Sequence, residues 1–301
     1  MVGGTLPLMP ELPDITVYVE RLDAKLRGST LQRIRVLNPF LLRTAVPPIT
    51  QAEGRRVIGI ERLGKRVVLV LDGGLFLVIH LMIAGRLRWL PVGAKPPGRI
   101  ALATFEFDGG TLLLTEAGTQ RRASLHLLAS REALNAMDPG GIDVMTAELT
   151  AFGERLTSEN HTLKRALTDP RLFSGIGNAY SDEILHRAKL SPIALTRSLS
   201  VEETQQLFDA TRTVLAEWTD RLRVQAGDWP DKVTAFHPEM AVHGRYGQPC
   251  PVCGAPVQRI VYADNETNYC ARCQTGGKVL ADRALSRLLK ASWPRNIADL
   301  E

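Results

Sequence analysis

The residues with the clearest chemical signature are the four cysteines, which form two pairs near the end of the chain. Cys250 pairs with Cys253 and Cys270 with Cys273, and sixteen residues separate the two Cys-x-x-Cys turns. This spacing fits four thiolates placed tetrahedrally around one zinc ion. Four protein ligands leave no position for a reactive water, so we expect one structural zinc that stabilises a small β-hairpin. Two disulfides or unused thiols are the alternative, which the spacing disfavours.

A second candidate lies near the start of the chain, where Met9 is followed by the run Pro-Glu-Leu-Pro-Asp. If Pro10 were N-terminal, its secondary amine would have a pKa near 8 and be partly neutral at pH 7. Such an amine can form an imine with the C1′ carbon of a sugar. Glu11 beside it can transfer protons to the sugar ring and to a leaving group. Taken alone, the run is equally typical of a helix start, because Pro13 suits the first turn.

The third candidate is the segment Phe173-Ser-Gly-Ile-Gly-Asn-Ala-Tyr180 between two predicted helices. Its two glycines predict a tight turn, and the N-terminus of the following helix can hold a phosphate group. Asn178 can cap that helix or donate to a phosphate oxygen. A plain helix–turn–helix corner is the alternative.

Composition narrows the class of protein without deciding it. The 301 residues are 45% hydrophobic and 23% charged, which predicts two globular domains with cores. The formal net charge of +5 favours an anionic partner such as nucleic acid. The longest apolar stretch, 67–84, contains an Asp-Gly-Gly turn and His80, so it predicts two strands rather than a membrane span. Residues 1–8 lack the features of a secretory signal. We therefore expect a cytoplasmic protein with no membrane partner.

The pattern of apolar residues predicts the elements that position these candidates. Apolar residues recur at helical spacing from Leu12 to Leu26, and Gly28 follows as a stop signal. Between residues 30 and 128, short β-rich runs and Asp-Gly-Gly turns predict a β-sandwich or flattened barrel. The predicted strands are 31–36, 56–62, 67–71, 75–80, 101–107 and 111–114.

A boundary is predicted at Asp138-Pro-Gly-Gly141, where Pro and Gly interrupt the chain. The segments beyond it have helical periodicity, the cysteine module occupies about 243–275, and a tail follows. The predicted helices are 146–156, 162–168, 179–188, 201–226 and, in the tail, 279–290.

Three strings, in this order, carry a resemblance to a known family: PELPD after Met9, FSGIGNAYSDEIL in mid-chain, and HGRYGQPCPVCG with NYCARCQ. The chain resembles formamidopyrimidine-DNA glycosylases and endonuclease VIII over about residues 9–275. The resemblance implies an α+β multidomain fold: an N-terminal catalytic β-sandwich with an N-terminal helix, a helix–two-turn–helix domain and a C-terminal zinc-finger β-hairpin. The expected domains are 9–140, 141–240 and 241–275, followed by a helical tail at 276–301. Residues 1–8 are expected to be an extension that precedes the real start at Met9.

The resemblance also implies roles for individual residues. Pro10 matches the nucleophile, Glu11 the proton-transfer carboxylate and Lys65 the hairpin lysine that contacts DNA beside the lesion. A solvated strand end is the alternative for Lys65. The expected DNA contacts are Arg121, Lys164, Gly177, Asn178 and Asn265.

The implied activity is base-excision repair by a bifunctional DNA glycosylase and abasic-site lyase that removes oxidised bases. The expected partner is double-stranded DNA that contains a damaged base or an abasic site, and the expected state is a monomer. The resemblance also implies that the cytoplasmic protein is of bacterial type and associated with the nucleoid. A non-catalytic damaged-DNA-binding paralogue is the first alternative, and a structural nucleic-acid-binding module such as a ribosomal protein is the second.

Four positions depart from the family pattern. Pro10 is preceded by Met9 and the extension, so its nitrogen is nucleophilic only if the preceding residues are removed. Asn265 stands where the family usually has an arginine. Ile83 occupies the position of a methionine wedge, with Met82 beside it, and Ala123 replaces an aromatic residue. The tail also extends beyond the pattern, and it adds basic residues at positions 278, 283, 287 and 290.

Overall fold

The computed structural model describes residues 9–117, 121–231, 237–262, 265–280 and 295–299. The described residues form two compact units. The first unit runs to Pro139 and also contains the segment from Trp218 to residue 231. The second begins at Gly140, ends its first part at Glu217, and resumes at residue 237. The extension at residues 1–8 lies outside the described residues.

Seven helices and eleven strands are defined within these ranges. The helices are α1 (Leu12–Leu26), α2 (Arg131–Asn135), α3 (Leu149–Thr157), α4 (Leu163–Thr168), α5 (Asn178–Arg187), α6 (Val201–Ala226) and α7 (Ala271–Thr275). The strands are β1 (Thr30–Leu31), β2 (Arg33–Val36), β3 (Arg55–Leu63), β4 (Arg66–Leu71), β5 (Leu75–His80), β6 (Gly85–Leu90), β7 (Ala101–Phe107), β8 (Gly110–Glu116), β9 (Ser124–Leu128), β10 (Gln258–Tyr262) and β11 (Asn265–Tyr269).

Helix α1 forms where the apolar spacing predicts it. Leu12, Ile15, Leu22 and Leu26 lie on its buried face. Gly28 follows the helix with a φ of +86°, a conformation that glycine adopts without steric cost. The apolar face packs into the sandwich core, which fixes the direction of the helix start.

The first unit is a β-sandwich, as the sequence predicts. A five-stranded sheet in the order β1-β3-β4-β5-β9 faces a four-stranded sheet in the order β2-β7-β8-β6, and α1 packs into the same core. Strands β4 and β5 are almost wholly apolar because both of their faces are covered. One face lies in the main core, and Val68, Val70, Phe76 and Val78 on the other pack against Leu134 of α2.

The segment 218–231 returns to the sandwich unit, although the sequence-based boundaries place it in the helical domain. The guanidinium group of Arg223 donates to both carboxylate oxygens of Glu20 at 2.6–3.1 Å. Trp229 packs against the rings of Tyr18 and Trp89, with centroid separations of 6.0 and 6.2 Å. Its indole N–H donates to the Leu87 carbonyl at 3.3 Å. The sandwich therefore uses residues from two distant parts of the chain.

The second unit contains α3, α4, α5, the first part of α6, the β10–β11 hairpin and α7. Phe152 lies at its centre, with the rings of Phe173 and Phe208 at 4.9 and 5.3 Å. Of the predicted tail helix, positions 281–290 lie outside the described residues. Among the described helices, none has both the length and the apolar character required to cross a bilayer.

Candidate active site and metal centre

The start of α1 holds Pro10 and Glu11 in buried positions. Glu11 is the N-cap residue of the helix and is 2% exposed. Its backbone N–H donates to Asp14 Oδ2 at 2.9 Å, and its carbonyl accepts from the Ile15 N–H at 2.9 Å. Because that N–H belongs to the peptide group that joins Pro10 to Glu11, these bonds fix the orientation of both residues.

Asp14 is a buried carboxyl group with one unusual property. Burial raises its pKa from 3.8 to about 7, although the Glu11 N–H and the charge of Arg86 act in the opposite direction. Its second oxygen, Oδ1, has no hydrogen-bond partner among the described residues. Asp14 therefore changes its charge close to neutral pH, directly beside the candidate catalytic residues.

The loop between β5 and β6 contains the predicted wedge position. Met82 has a φ of +52°, which costs a non-glycine residue about 1 kcal/mol. Ile83 is half-buried, and its carbonyl accepts from the Arg86 guanidinium at 3.2 Å. A Cβ on Gly85 would lie 2.2 Å from the Leu81 carbonyl oxygen, so only glycine fits there. The loop backbone is thus held close to Arg86.

A group of basic side chains lies beside the predicted DNA-contacting lysine. Lys65 follows Gly64 in the β3–β4 turn, and Arg66 pairs with His80 across β4 and β5. His126 pairs with Val78 on the neighbouring strand. Burial, together with the smaller effects of the charges of Arg66, Lys65 and His126, lowers the pKa of His80 to about 4. This concentration of positive charge favours an anionic ligand.

The sequence interpretation missed His80 and His126 as members of this basic group. A usable signal existed, because the Asp72-Gly-Gly74 turn places Leu71 opposite Leu75. Continuing that antiparallel register brings Arg66 opposite His80.

The loop before β9 is described from Arg121 onward. Arg121 is exposed, and its Nη2 donates to the Arg99 carbonyl at 2.5 Å. The buried carboxylate of Glu116 accepts the backbone N–H groups of Arg122 and Ala123 at 2.9–3.3 Å. Ala123 is 4% exposed and belongs to the sandwich core. Its methyl group therefore points into the protein, not toward a position where a side chain would stack on a base.

The glycine-rich turn precedes α5 as predicted. Gly175 has a φ of +83°, and Gly177, not Asn178, is the N-cap residue. The Asn178 side chain instead donates to the Glu266 carbonyl of the β10–β11 hairpin at 2.9 Å. Asn178 thus connects the turn to the hairpin.

Lys164 belongs to a buried polar network beneath this turn. Its Nζ donates to the Asn178 carbonyl at 2.6 Å and to Asp182 Oδ1 at 2.5 Å. Asp182 also accepts from the Asn268 N–H at 3.1 Å, and its Oδ2 lies 2.7 Å from His243 Nδ1. Two of the three N–H groups of Lys164 thus bind within the protein, which leaves one for another acceptor. The contact of Lys164 with a DNA phosphate stays a prediction.

The finger is attached to α5 through a second acid. Glu183 accepts the backbone N–H groups of residues 241–243 at 2.7–2.9 Å. The backbone of Asn265 begins β11 and pairs with Tyr262, which places Asn265 on the finger hairpin.

The four cysteine sulfurs all lie within 4.8 Å of one another. Cys250 Sγ is 3.9 Å from Cys273 Sγ, and Cys253 Sγ is 3.4 Å from Cys270 Sγ. Zn–S bonds of about 2.3 Å in a tetrahedron give S···S separations of about 3.8 Å. The donor set and its geometry therefore fit one structural zinc, as the spacing predicts.

The structure places the predicted residues in two groups. Pro10, Glu11, Lys65 and Arg121 belong to the sandwich unit. The second unit holds Lys164, Gly177, Asn178, Asn265 and the four cysteines.

Comparisons with known proteins match the chain in three consecutive parts. Residues 9–123 match the formamidopyrimidine-DNA glycosylase N-terminal domain, and residues 138–222 match the H2TH domain of the same enzymes. Residues 247–276 match the zinc finger found in FPG and IleRS.

Individual relatives agree with these matches. The formamidopyrimidine-DNA glycosylase of Thermus thermophilus is 36% identical over 282 residues, which cover 89% of this chain and 100% of the relative. An uncharacterized formamidopyrimidine-DNA glycosylase-like protein of Mycobacterium tuberculosis is 42% identical over 156 residues, covering 52% of this chain and 95% of the relative.

Solved structures share the fold. The crystal structure of the MutM (Fpg) protein from Thermus thermophilus has a TM-score of 0.75 at 34% identity and covers 88% of this chain and 98% of that chain. The complex of Lactococcus lactis Fpg with abasic-site DNA has a TM-score of 0.77 at 23% identity, covering 88% and 99%.

Proposed function

The chain belongs to the formamidopyrimidine-DNA glycosylase family, and from this premise we propose that it excises an oxidised base from duplex DNA and then cleaves the abasic strand. The observation that carries the proposal is the start of α1. Pro10 and Glu11 are buried there, in the domain matched from residue 9, and the Glu11 N–H binds Asp14.

The proposed chemistry begins when the damaged nucleotide rotates out of the base stack. The Pro10 amine attacks C1′, the glycosidic bond breaks, and the base leaves with a proton supplied by Glu11. The proton released by the Pro10 nitrogen then passes through Glu11 to the ring oxygen O4′ as the C1′–O4′ bond breaks, which opens the sugar and leaves an iminium between Pro10 and C1′. The resulting iminium acidifies the C2′ proton. Loss of that proton expels the 3′ phosphate by β-elimination, and δ-elimination then expels the 5′ phosphate.

The DNA backbone is held by two sets of groups in this proposal. Lys65, Arg66 and His80 form the basic group of the sandwich unit, where burial and neighbouring positive charge keep His80 neutral. An approaching phosphate would compensate that charge. The Gly177–Asn178 turn and the finger hairpin supply the second set, since the Asn178–Glu266 bond connects them.

Zinc, when bound to the four cysteines, supplies structure and not reactivity, because all four tetrahedral positions are occupied by protein ligands. The chain's own residues carry every chemical step. Asn265 contributes no charge where the family usually has arginine, so its contact to a phosphate is weaker than a bidentate one.

Borohydride trapping on a duplex with an abasic site tests the proposal. A protein that begins at Pro10 should form a covalent adduct, because borohydride reduces the iminium to a stable amine. A chain that retains residues 1–9 should form none, because the Pro10 nitrogen is then an amide. If the chain that begins at Pro10 leaves all DNA unmodified, the lyase assignment is wrong.

A second candidate function is a damage-binding protein without chemistry. In the sequence, Pro10 is joined to Met9 by a peptide bond, and an amide nitrogen is not nucleophilic. Identifying the N-terminal residue of the protein isolated from cells distinguishes the two functions. Pro10 at the N-terminus supports the enzyme, whereas a retained extension together with tight abasic-site binding supports the binder.

A further inference from the structure

His186 lies against the metal centre without belonging to the cysteine set. It sits near the end of α5, is 6% exposed, and its Nε2 is 3.3 Å from Cys250 Sγ. We propose that His186 is a positioning residue of the zinc centre: its Nε2–H donates to the Cys250 sulfur and ties the metal site to α5.

The geometry makes His186 a donor to a ligand and not a ligand itself. The ligand atoms of the four cysteines all lie within 4.8 Å of one another, and His186 is not part of that group among the described residues. A tetrahedral zinc that already has four sulfurs offers no fifth position in a structural site. The separation of 3.3 Å suits an N–H···S contact, since sulfur is larger than oxygen.

Two of the other cysteines have backbone donors of their own. Cys253 accepts a hydrogen bond from the backbone of Ala255, and Cys270 accepts one from the backbone of Cys273. Zinc-bound thiolates carry excess negative charge, and donors around the ligands spread that charge and hold the ligands in place. For Cys250 the donor comes from a different element, so this bond fixes the metal centre to the rest of the unit.

Besides the contacts of Asp182 and Glu183 described above, three contacts attach the finger at points spaced along α5 and just beyond it. At the helix start, Asn178 donates to the Glu266 carbonyl at 2.9 Å. Near the helix end, His186 meets Cys250. Just beyond the helix, the Gln274 amide donates to the Leu190 carbonyl at 2.9 Å, while its oxygen accepts the Cys270 N–H at 2.8 Å.

We expect the loss of the His186 contact to affect both the metal and the turn that carries Asn178. The effect on the metal involves only residues of the second unit, to which His186 and the four cysteines belong. The effect on DNA rests on the proposed function, because it assumes that the turn contacts the phosphate backbone.

The first test is the tautomer of His186 in the zinc-loaded, full-length protein, read from the ¹⁵N shifts of the histidine side chains. The proposal requires the Nε2–H form. An Nδ1–H form with a bare Nε2 overturns it, because a bare nitrogen cannot donate to sulfur.

The second test is the rate at which zinc passes to a chromogenic chelator. His186→Phe removes the N–H and keeps a ring, and it should speed zinc loss on the order of 10-fold. His186→Gln keeps an N–H near the same place and should restore a rate within about twofold of wild type. His237→Phe is the matched control, since His237 is a histidine of the same unit and is also 6% exposed.

Equal zinc loss from wild type and His186→Phe overturns the proposal, and so does a Gln variant that behaves like the Phe variant. Binding of duplex DNA with an abasic-site analogue is measured alongside and should weaken with His186→Phe. If the otherwise wild-type protein that begins at Pro10 fails to form a trapped adduct, the proposed function fails, while the tautomer and zinc results still decide the role of His186.

Discussion

The carboxylate of Asp14 accepts the backbone N–H of Glu11 across 2.9 Å, at the first peptide group after the candidate nucleophile. A buried acid with a pKa of about 7 thus controls the orientation of Pro10 and Glu11. The relationship makes the start of α1 sensitive to pH in the range where the protein is expected to work.

The Asp14→Asn variant should change the pH dependence of stability. The folded protein holds a proton on Asp14 up to a pKa of about 7, whereas the unfolded chain loses it near 3.8. The contribution to stability is therefore complete below 3.8 and is lost as the pH rises through 7. Asn cannot ionise, so the variant's advantage over wild type should grow by roughly 2–3 kcal/mol between pH 5 and pH 8. Thermal unfolding across this range measures the difference. The exposed Asp231→Asn is the control, and a constant difference between the Asp14 variant and wild type would contradict the assignment.

Glu11→Gln should slow base excision by about 100-fold or more, because an amide cannot supply the proton that the departing base requires. Single-turnover excision from duplexes with oxidised bases measures the effect, using protein that begins at Pro10. Glu61→Gln, which alters an exposed acid paired with Arg131, should leave the rate unchanged. A normal excision rate for the Glu11 variant would mean that Glu11 does not supply the proton to the departing base.

Lys65→Ala should weaken binding equally for damaged and undamaged duplexes, because a phosphate contact carries no sequence or lesion information. The slope of log K against log salt should fall by about 0.9, the value for one lost phosphate contact. Fluorescence anisotropy at several salt concentrations measures both quantities. Lys95→Ala, at an exposed loop position, is the matched control. A slope equal to that of wild type would mean that Lys65 is a solvated residue at a strand end and makes no phosphate contact.

Asp182→Ala should destabilise the second unit by about 3 kcal/mol, since it leaves the largely buried Lys164 without its acidic partner. Urea unfolding provides the measurement. Glu217→Ala breaks the exposed pair with Arg187 and should cost less than about 1 kcal/mol. Similar losses for the two variants would mean that the Lys164–Asp182 pair is not a support for the turn.

Cys270→Ser should release zinc and abolish DNA binding while the sandwich stays folded. The reason is that all four cysteines lie in the second unit, whereas Trp89 and Trp229 report on the first. Zinc content, tryptophan fluorescence and DNA binding measured on the same sample test this. Unchanged affinity after zinc loss would contradict the role given to the finger.

Local signals predict most of the fold. The apolar spacing of α1, the two Asp-Gly-Gly turns and the cysteine spacing each depend on neighbours in sequence, and the structure confirms the elements they predict. Segment 218–231 is one exception. Its attachment to the sandwich depends on contacts such as Arg223 with Glu20, between residues more than 200 positions apart.

The candidate site is less predictable for the same reason. Lys164 reads from sequence as a basic residue available to phosphate, yet the fold brings the buried Asp182 to it. Ala123 reads as a loop residue, yet its N–H binds the buried Glu116 and its side chain joins the core. In both cases an acid from another element decides the environment, and neither acid is adjacent in sequence.

The return of Trp229 to Tyr18 and Trp89 means that the proposed excision module is encoded in two separate stretches of the gene. A truncated product that stops at Pro139 would leave both of those rings without their aromatic neighbour and Glu20 without its arginine. Chimeras between this protein and its relatives should therefore exchange the later segment together with the first. A recombinant that mixes the two sources would join halves of one aromatic cluster that did not evolve together.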